Sequence, residues 1–587
     1  MKYNSFLLLT MMMFVLSSCE NFLDPKISDE VTYEQMITQP DMVRGLVNYV
    51  YRVIPSSFEG VSGGFLECAT DDALTNILAS NINKMVELPT YWSATNNPLN
   101  IWNARYEDIR DLNNFFDIMK KYNIRFKKTG DADNNQFTKI TMGEAYFLRA
   151  YCEFELLKTF GGKDVNGKMM GFPIVTTLLS TTDIPNLARN TYSECVAQIV
   201  TDIDSAMVYL PKSWDKTTFK YSNQDNLGRP TDVACLALKS RLRLYEASPA
   251  FTDGLSDAEK TQKWRTAAET AKEAIDSIGF GLPRIYDVTN ISAKFYNDPQ
   301  SAELILRRMV GTSSGDLAMA TRNFLPSIYG SGNCNPTQNL VDAFPMANGY
   351  PITADVAKTG YSETNMYLSR DPRFYMSILF NGATFKTTKV ETFEGGKDMA
   401  GFGRATIENS TRTGYYLRKW VSSKANLVPG STTNDFHYGV AFRQAELYLN
   451  FAEAANEAVG PTTAIKGMTA QNAIAEVRKR AGIAPVSADN YLIEQAASAS
   501  NFRTLIKNER RIELCFEGHR FYDLRRWKDP LNTTIQRIKI TPTAVVGTYT
   551  YEKVNLLTLP FSNTKYYCPL PITELYKATN LTQNEGW

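Results

Sequence analysis

Histidine is nearly absent: His437 and His519 are the only two in 587 residues. No HExxH pair or GxxxxGK[ST] loop occurs, so metalloprotease and P-loop mechanisms lack their parts. Neither charge is in excess. With 63 basic against 62 acidic side chains and no basic runs, the chain offers no electrostatic footprint for nucleic acid or an anionic membrane surface. Apart from Cys19, the cysteines at 68, 152, 195, 235, 334, 515 and 568 are odd in number and never form CxxC, so no disulfide or zinc framework is visible. Cys152, Cys195, Cys235 and Cys515 fall in apolar helical patterns, where cysteine acts as a small hydrophobe. Beyond the N-terminus, no apolar run approaches the roughly 20 residues needed to span a bilayer.

The N-terminus carries the one apolar run. Lys2 precedes the stretch from Phe6 to Leu16, which ends in Leu16-Ser17-Ser18-Cys19. A basic start, a short apolar segment and small residues before a cysteine make a lipobox. The expected signal peptide is 1–18, with Cys19 acylated and 19–34 a polar tether. An ordinary signal peptide with a chance cysteine, or an uncleaved anchor, remain the alternatives. Two or three acyl chains at about 0.8 kcal/mol per methylene hold far more firmly than one.

The body of the chain reads as mainly α. From 440 to 459 Ala441, Ala445, Tyr448, Ala452, Ala455 and Val459 recur at helical steps, stopped by Gly460-Pro461. Its expected partner helix is 469–481. Phe137 to Phe160 carries two apolar faces, Ala145, Leu148, Cys152 and Leu156 on one and Phe147, Tyr151 and Phe154 on another, which implies burial on both sides. Further helices are expected at 41–53, 100–122, 191–210, 231–247, 263–278 and 501–517. The alanine-rich hairpins suggest a TPR-like scaffold without a regular repeat. Between 280 and 435 the texture turns to Gly, Asn, Thr and Ser, read as loops, short strands and short helices. The expected organisation is an N-terminal region 35–280 and a C-terminal region 281–587, packed as one unit.

The helix Arg443-Gln444-Ala445-Glu446-Leu447-Tyr448-Leu449-Asn450-Phe451-Ala452-Glu453-Ala454 is similar to the RxAExYLxxAEA helix of SusD/RagB proteins. Asn508-Glu509-Arg510-Arg511-Ile512-Glu513-Leu514-Cys515-Phe516-Glu517-Gly518-His519-Arg520-Phe521-Tyr522-Asp523-Leu524-Arg525-Arg526-Trp527 resembles the same family's ERRxEfxfEGhRxyDLrRW signature. Pro336-Thr337-Gln338, Leu570-Pro571 and the ending Asn584-Glu585-Gly586-Trp587 fit too. The resemblance implies a TPR-like frame carrying a loop-rich, partly β ligand-facing region. It implies capture of a glycan or another oligomer at the outer face of the outer membrane, and delivery to a SusC-like TonB-dependent transporter, with no catalysis and no cofactor. Peptide capture, or a surface glycoside hydrolase, are the rival readings.

Glu513 and Glu517, one helical turn apart, are the carboxylate pair a hydrolase would need. Interleaved arginines and apolar Ile512, Leu514, Phe516 and Phe521 point instead to an ion-pair network beside a core. Asp131-Ala132-Asp133-Asn134-Asn135 imitates a calcium loop, but Gln136 replaces its glycine and Met142 its bidentate glutamate, so a solvated loop is expected. Sugar rings call for aromatic platforms flanked by amides on loops. Trp92 is the first candidate, with Tyr91 and Asn96 in the same turn-rich segment and Asp72 nearby, in front of a helix expected from Ala73. Phe324, Tyr329 and Asn333 form the second loop. Trp102 is assigned to the core.

Overall fold

The computed structural model describes residues 33–61, 64–214, 226–283, 298–310, 315–435, 437–483 and 489–587. The signal segment, Cys19 and the tether up to residue 32 lie outside the described residues.

The frame is a succession of helical hairpins: α1 (Pro40–Val50), α2 (Trp102–Lys121), α3 (Asp131–Phe160), α4 (Tyr192–Tyr209), α5 (Asp232–Ala247), α6 (Asp257–Ile278), α7 (Gln444–Val459), α8 (Ala470–Arg480) and α9 (Ala499–Glu513). Each of α1 to α6 packs on the next, α6 packs on α7, and α7 also meets α8 and α9. This is the TPR-like array expected. In α1 the buried Val43, Val47 and Val50 fall on one stripe. In α3, Phe147, Leu148, Tyr151, Cys152 and Phe154 are all buried, because α2 and α4 flank it on either side. Thr191 with Glu194 and Ser256 with Glu259 form capping boxes at α4 and α6. The second box starts α6 six residues ahead of the expected 263.

Two expectations about the ends of α3 and α7 are corrected. Asp131 to Asn135 is the first turn of α3 and not a solvated loop; Asp131 and Asp133 there face the positive end of the helix dipole. Residues 440–443 are strand and not helix, for His437–Arg443 (β4) pairs antiparallel with Leu304–Val310 (β2). That pairing, with a segment more than a hundred residues earlier, outweighs the local helical pattern.

The remaining sheets are also two-stranded. Ala73–Thr75 (β1) pairs antiparallel with Cys334–Pro336 (β3), with Thr75 opposite Cys334, so no helix starts at Ala73. Thr534–Pro542 (β5) pairs with Tyr549–Thr558 (β6). Between 298 and 435 the described chain is short helices, short strands and turns. The N-terminal and C-terminal regions are tied together by β1 with β3, by α6 on α7, and by the buried Arg241 guanidinium, which donates to both oxygens of Glu446 at 2.6 Å.

Candidate ligand-binding surface

The glutamates that a hydrolase would need sit in a buried ionic lattice, and Glu517 at its edge also lines a cleft. Arg443 bridges Glu303 at 2.9 Å, Glu513 at 2.8 Å and Glu517 at 2.8 Å. Arg480 pairs with Glu303 and Glu513, and Arg373 with Asp371, Glu509 and Glu513. Lys419 holds Glu517 at 2.6 Å, and each of these side chains is buried. Burial alone would raise the Glu513 carboxyl, but Arg480, Arg443 and Arg373 outweigh it and hold it far below the usual range. Glu517 is likewise held low: Arg443 and Lys419 outweigh the effect of burial. Burial, reinforced by Arg510, keeps the His519 imidazole neutral. Glu513 is ionised, saturated and closed to substrate, which is the opposite of a general acid.

The polar surface outside this lattice is built where three loops converge. Asn76, just after β1, donates its side-chain amide to the carbonyls of Ser331 at 2.8 Å, Gly332 at 3.2 Å and Ser410 at 3.2 Å. Arg412 locks the same corner, donating to Thr75 O at 3.0 Å and Asn83 Oδ1 at 2.9 Å and pairing with Glu87 at 2.7 Å. Gly330 and Gly332 are needed because a Cβ at either would overlap Phe324 or the Tyr416 ring.

On this base Tyr329 is half-buried, with φ +71°. Left-handed backbone in a bulky non-glycine residue is strain of the kind found at functional sites. The exposed Arg404 guanidinium lies 3.9 Å over the Tyr329 ring. Arg404 belongs to a glycine-flanked turn in which the Gly401 and Ala405 amides donate to the Ala405 and Phe402 carbonyls, both at 2.9 Å. Phe402 of that turn is 47% exposed, Ile407 beyond it 74%, and Leu78 across the corner 50%. An aromatic face, a guanidinium and apolar edges suit the C–H faces and hydroxyls of a sugar.

The expected ligand residues divide. Tyr329, Tyr91 and Asn96 reach the surface. The Tyr91 hydroxyl donates to Asn81 at 2.7 Å, and the Asn96 amide to the Tyr91 carbonyl at 2.9 Å, so the loop of Tyr91 and Asn96 abuts the short helix Asn81–Glu87 that Arg412 also holds. Trp92 is a correction: it is 2% exposed and packed among Phe521, Phe561 and Trp587, with no face open to a ligand. Phe324, at 1%, packs edge-on against Phe385. Asp72 is buried in an ion pair with Arg511 at 2.7 Å, and Asn333 is buried with its carbonyl accepting the Asn76 amide. Phe324 and Asn333 support the Tyr329 corner from beneath, whereas Trp92 and Asp72 are buried elsewhere. Phe402 and Arg404 were missed; the signal available was Gly401-Phe402-Gly403-Arg404, a ring and a cation between turn-forming glycines.

Two recesses lie elsewhere. A groove of about 460 Å³ runs between Trp102, Tyr106, Leu179, Ile184 and Glu574, so Trp102, buried as expected, forms part of its lining. A cleft of about 250 Å³ is walled by Tyr151, Tyr245, Arg241, Glu446 and His519. Among the described residues, no cluster of three or more His, Cys, Asp or Glu could hold a metal, and no helix is long and apolar enough to cross a membrane.

Comparison with known families decides the relationship. Residues 303–587 match the model described as the SusD family, and residues 21–244 match one described as starch-binding, associating with the outer membrane. The chain belongs to the SusD family. A curated relative, the SusD-like protein P25 of Formosa agariphila, is 22% identical over 541 residues, 90% of each chain. A SusD-like protein of Bacteroides fragilis superposes with TM-score 0.71 at 23% identity, over 95% of this chain and 99% of that one. A laminarin-binding SusD-like protein does so with TM-score 0.58 at 19% identity, over 94% and 99%. The SusD family is a non-catalytic binding family. In this SusD-family chain the signature carboxylates Glu513 and Glu517 hold helices together, and the hydrolase reading falls.

Proposed function

We propose that this SusD-family protein captures a glycan at the outer face of the outer membrane and passes it, uncleaved, to a SusC-like TonB-dependent transporter. The observation that carries the reading is the solvent-facing pairing of Tyr329 with Arg404 on a strained, glycine-supported turn. Tyr329, Phe402 and Arg404 are the primary contacts, and Tyr91 and Asn96 flank them. Support also comes from the family description, which names starch binding and association with the outer membrane, and from the laminarin-binding relative of like fold. The attachment is the acylated Cys19 of the lipobox. Two or more acyl chains suffice for stable anchoring without a spanning helix.

The partner is tested by solubilising outer membranes in mild detergent and isolating the tagged protein. The expected result is stoichiometric co-purification of a TonB-dependent barrel and release of the lipoprotein on Cys19→Ala. Isolation of the protein alone, or of a complex that binds peptides and no glycan, contradicts the proposal.

A further inference from the structure

We propose that Cys68 and Cys334 are joined by a disulfide in the exported protein. Their Sγ atoms lie 4.0 Å apart. No other pair of cysteine sulfurs among the described residues is in hydrogen-bonding contact. The fold itself brings them together. Cys334 opens β3 opposite Thr75 of β1, and Cys68 lies in the single turn Leu66–Ala69 that leads into β1. A small cavity lined by Phe65, Ile82 and Asn323 has both cysteines in its wall. Side-chain rotation must close the gap to a bond of about 2.05 Å. The remaining cysteines are buried singly, as Cys195 against the Phe172 carbonyl and Cys515 against Ser377.

Two S–H bonds break and one S–S bond forms. The two electrons and two protons pass to the disulfide of a thiol–disulfide oxidoreductase, which leaves as a dithiol after attack through a mixed disulfide. Both cysteines are buried in the folded chain, so the exchange belongs to folding after export. The inference rests on the proposed export of the chain, since disulfides persist in oxidising compartments. The bond ties positions 266 residues apart. It staples the root of the β1–β3 ribbon, immediately next to Asn333 and Asn76, and so fixes the base on which Tyr329 stands.

The test is to quench cells in acid and alkylate the full-length protein with N-ethylmaleimide under denaturing conditions, before any reductant. Unreduced digests are then read by tandem mass spectrometry. The expected product is one peptide pair linking Cys68 to Cys334, with adducts on Cys152, Cys195, Cys235, Cys515 and Cys568. Adducts on Cys68 and Cys334 in protein recovered from the membrane fraction overturn the inference and leave the binding function standing. Cell fractionation reports export separately. Should the chain remain in the cytoplasm, refolding the reduced chain in a glutathione redox buffer decides the pairing: the same linkage supports it, and free Cys68 and Cys334 overturn it.

Discussion

Replacing Glu513 by Gln keeps the side chain's shape and removes one charge from the lattice. Three guanidiniums, of Arg373, Arg443 and Arg480, contact that carboxylate, and Glu513 is 1% exposed. Deleting one partner of a buried ion pair leaves uncompensated charge and costs about 3–5 kcal/mol. Unfolding entropy near 2.1 cal/mol/K per residue gives about 1.2 kcal/mol/K for 587 residues. The variant should therefore melt roughly 2–4 °C below the wild type if the chain unfolds as one unit. Differential scanning calorimetry of the soluble protein measures this, and titration with glycan on the same samples should show unchanged affinity. An unchanged Tm would refute the structural role of the lattice. A normal Tm accompanied by lost turnover of a polysaccharide would restore the catalytic reading.

Other outcomes follow from the same geometry. Burial lifts the Glu67 carboxyl from 4.5 to about 7, so the folded state holds that proton more tightly than the unfolded one. Stability then falls as pH rises from about 4.5 to about 7, by about 3 kcal/mol at 1.36 kcal/mol per tenfold change. Glu67→Gln, which still accepts the Gly518 amide, should flatten that part of the profile in denaturant titrations at stepped pH, and parallel wild-type and variant profiles would refute it. Trp92→Ala empties a site packed by three aromatic neighbours and should cost about 3–5 kcal/mol; loss of glycan affinity at full stability would instead make Trp92 a ligand residue. Arg412→Ala removes the clamp on Thr75, Asn83 and Glu87 and should weaken glycan binding at least tenfold, with only a few degrees lost from Tm by scanning fluorimetry. Full affinity would show that the corner does not depend on it.

The hairpin frame was legible because helical stripes are local: α3, α4 and α7 are written in spacings of three and four, with glycine or capping boxes at their ends. What was not legible depends on distant partners. The strand β4 looks helical until β2 arrives from residues 304–310. Trp92 sits among amides and turn formers like a binding residue, and only Phe521, Phe561 and Trp587, more than 400 positions on, seal it into the core. Asp72 has the look of a helix cap until Arg511 claims it. Tyr329 was legible as a ring in a glycine-rich loop. Its guanidinium partner was not, because Arg404 comes from a turn 75 residues away whose pattern announces flexibility and nothing more.

The central claim is that the Tyr329–Arg404 surface binds glycan without cleaving it. The most direct measurement is calorimetric titration of soluble residues 20–587 against starch, laminarin and other oligosaccharides and against peptides, for wild type, Tyr329→Ala and Arg404→Ala, with each mixture checked for breakdown products. The account predicts saturable binding of a glycan that stays intact, weakened at least tenfold in both variants at near-native Tm. Cleavage of the glycan, or equal affinity in all three proteins, would contradict it.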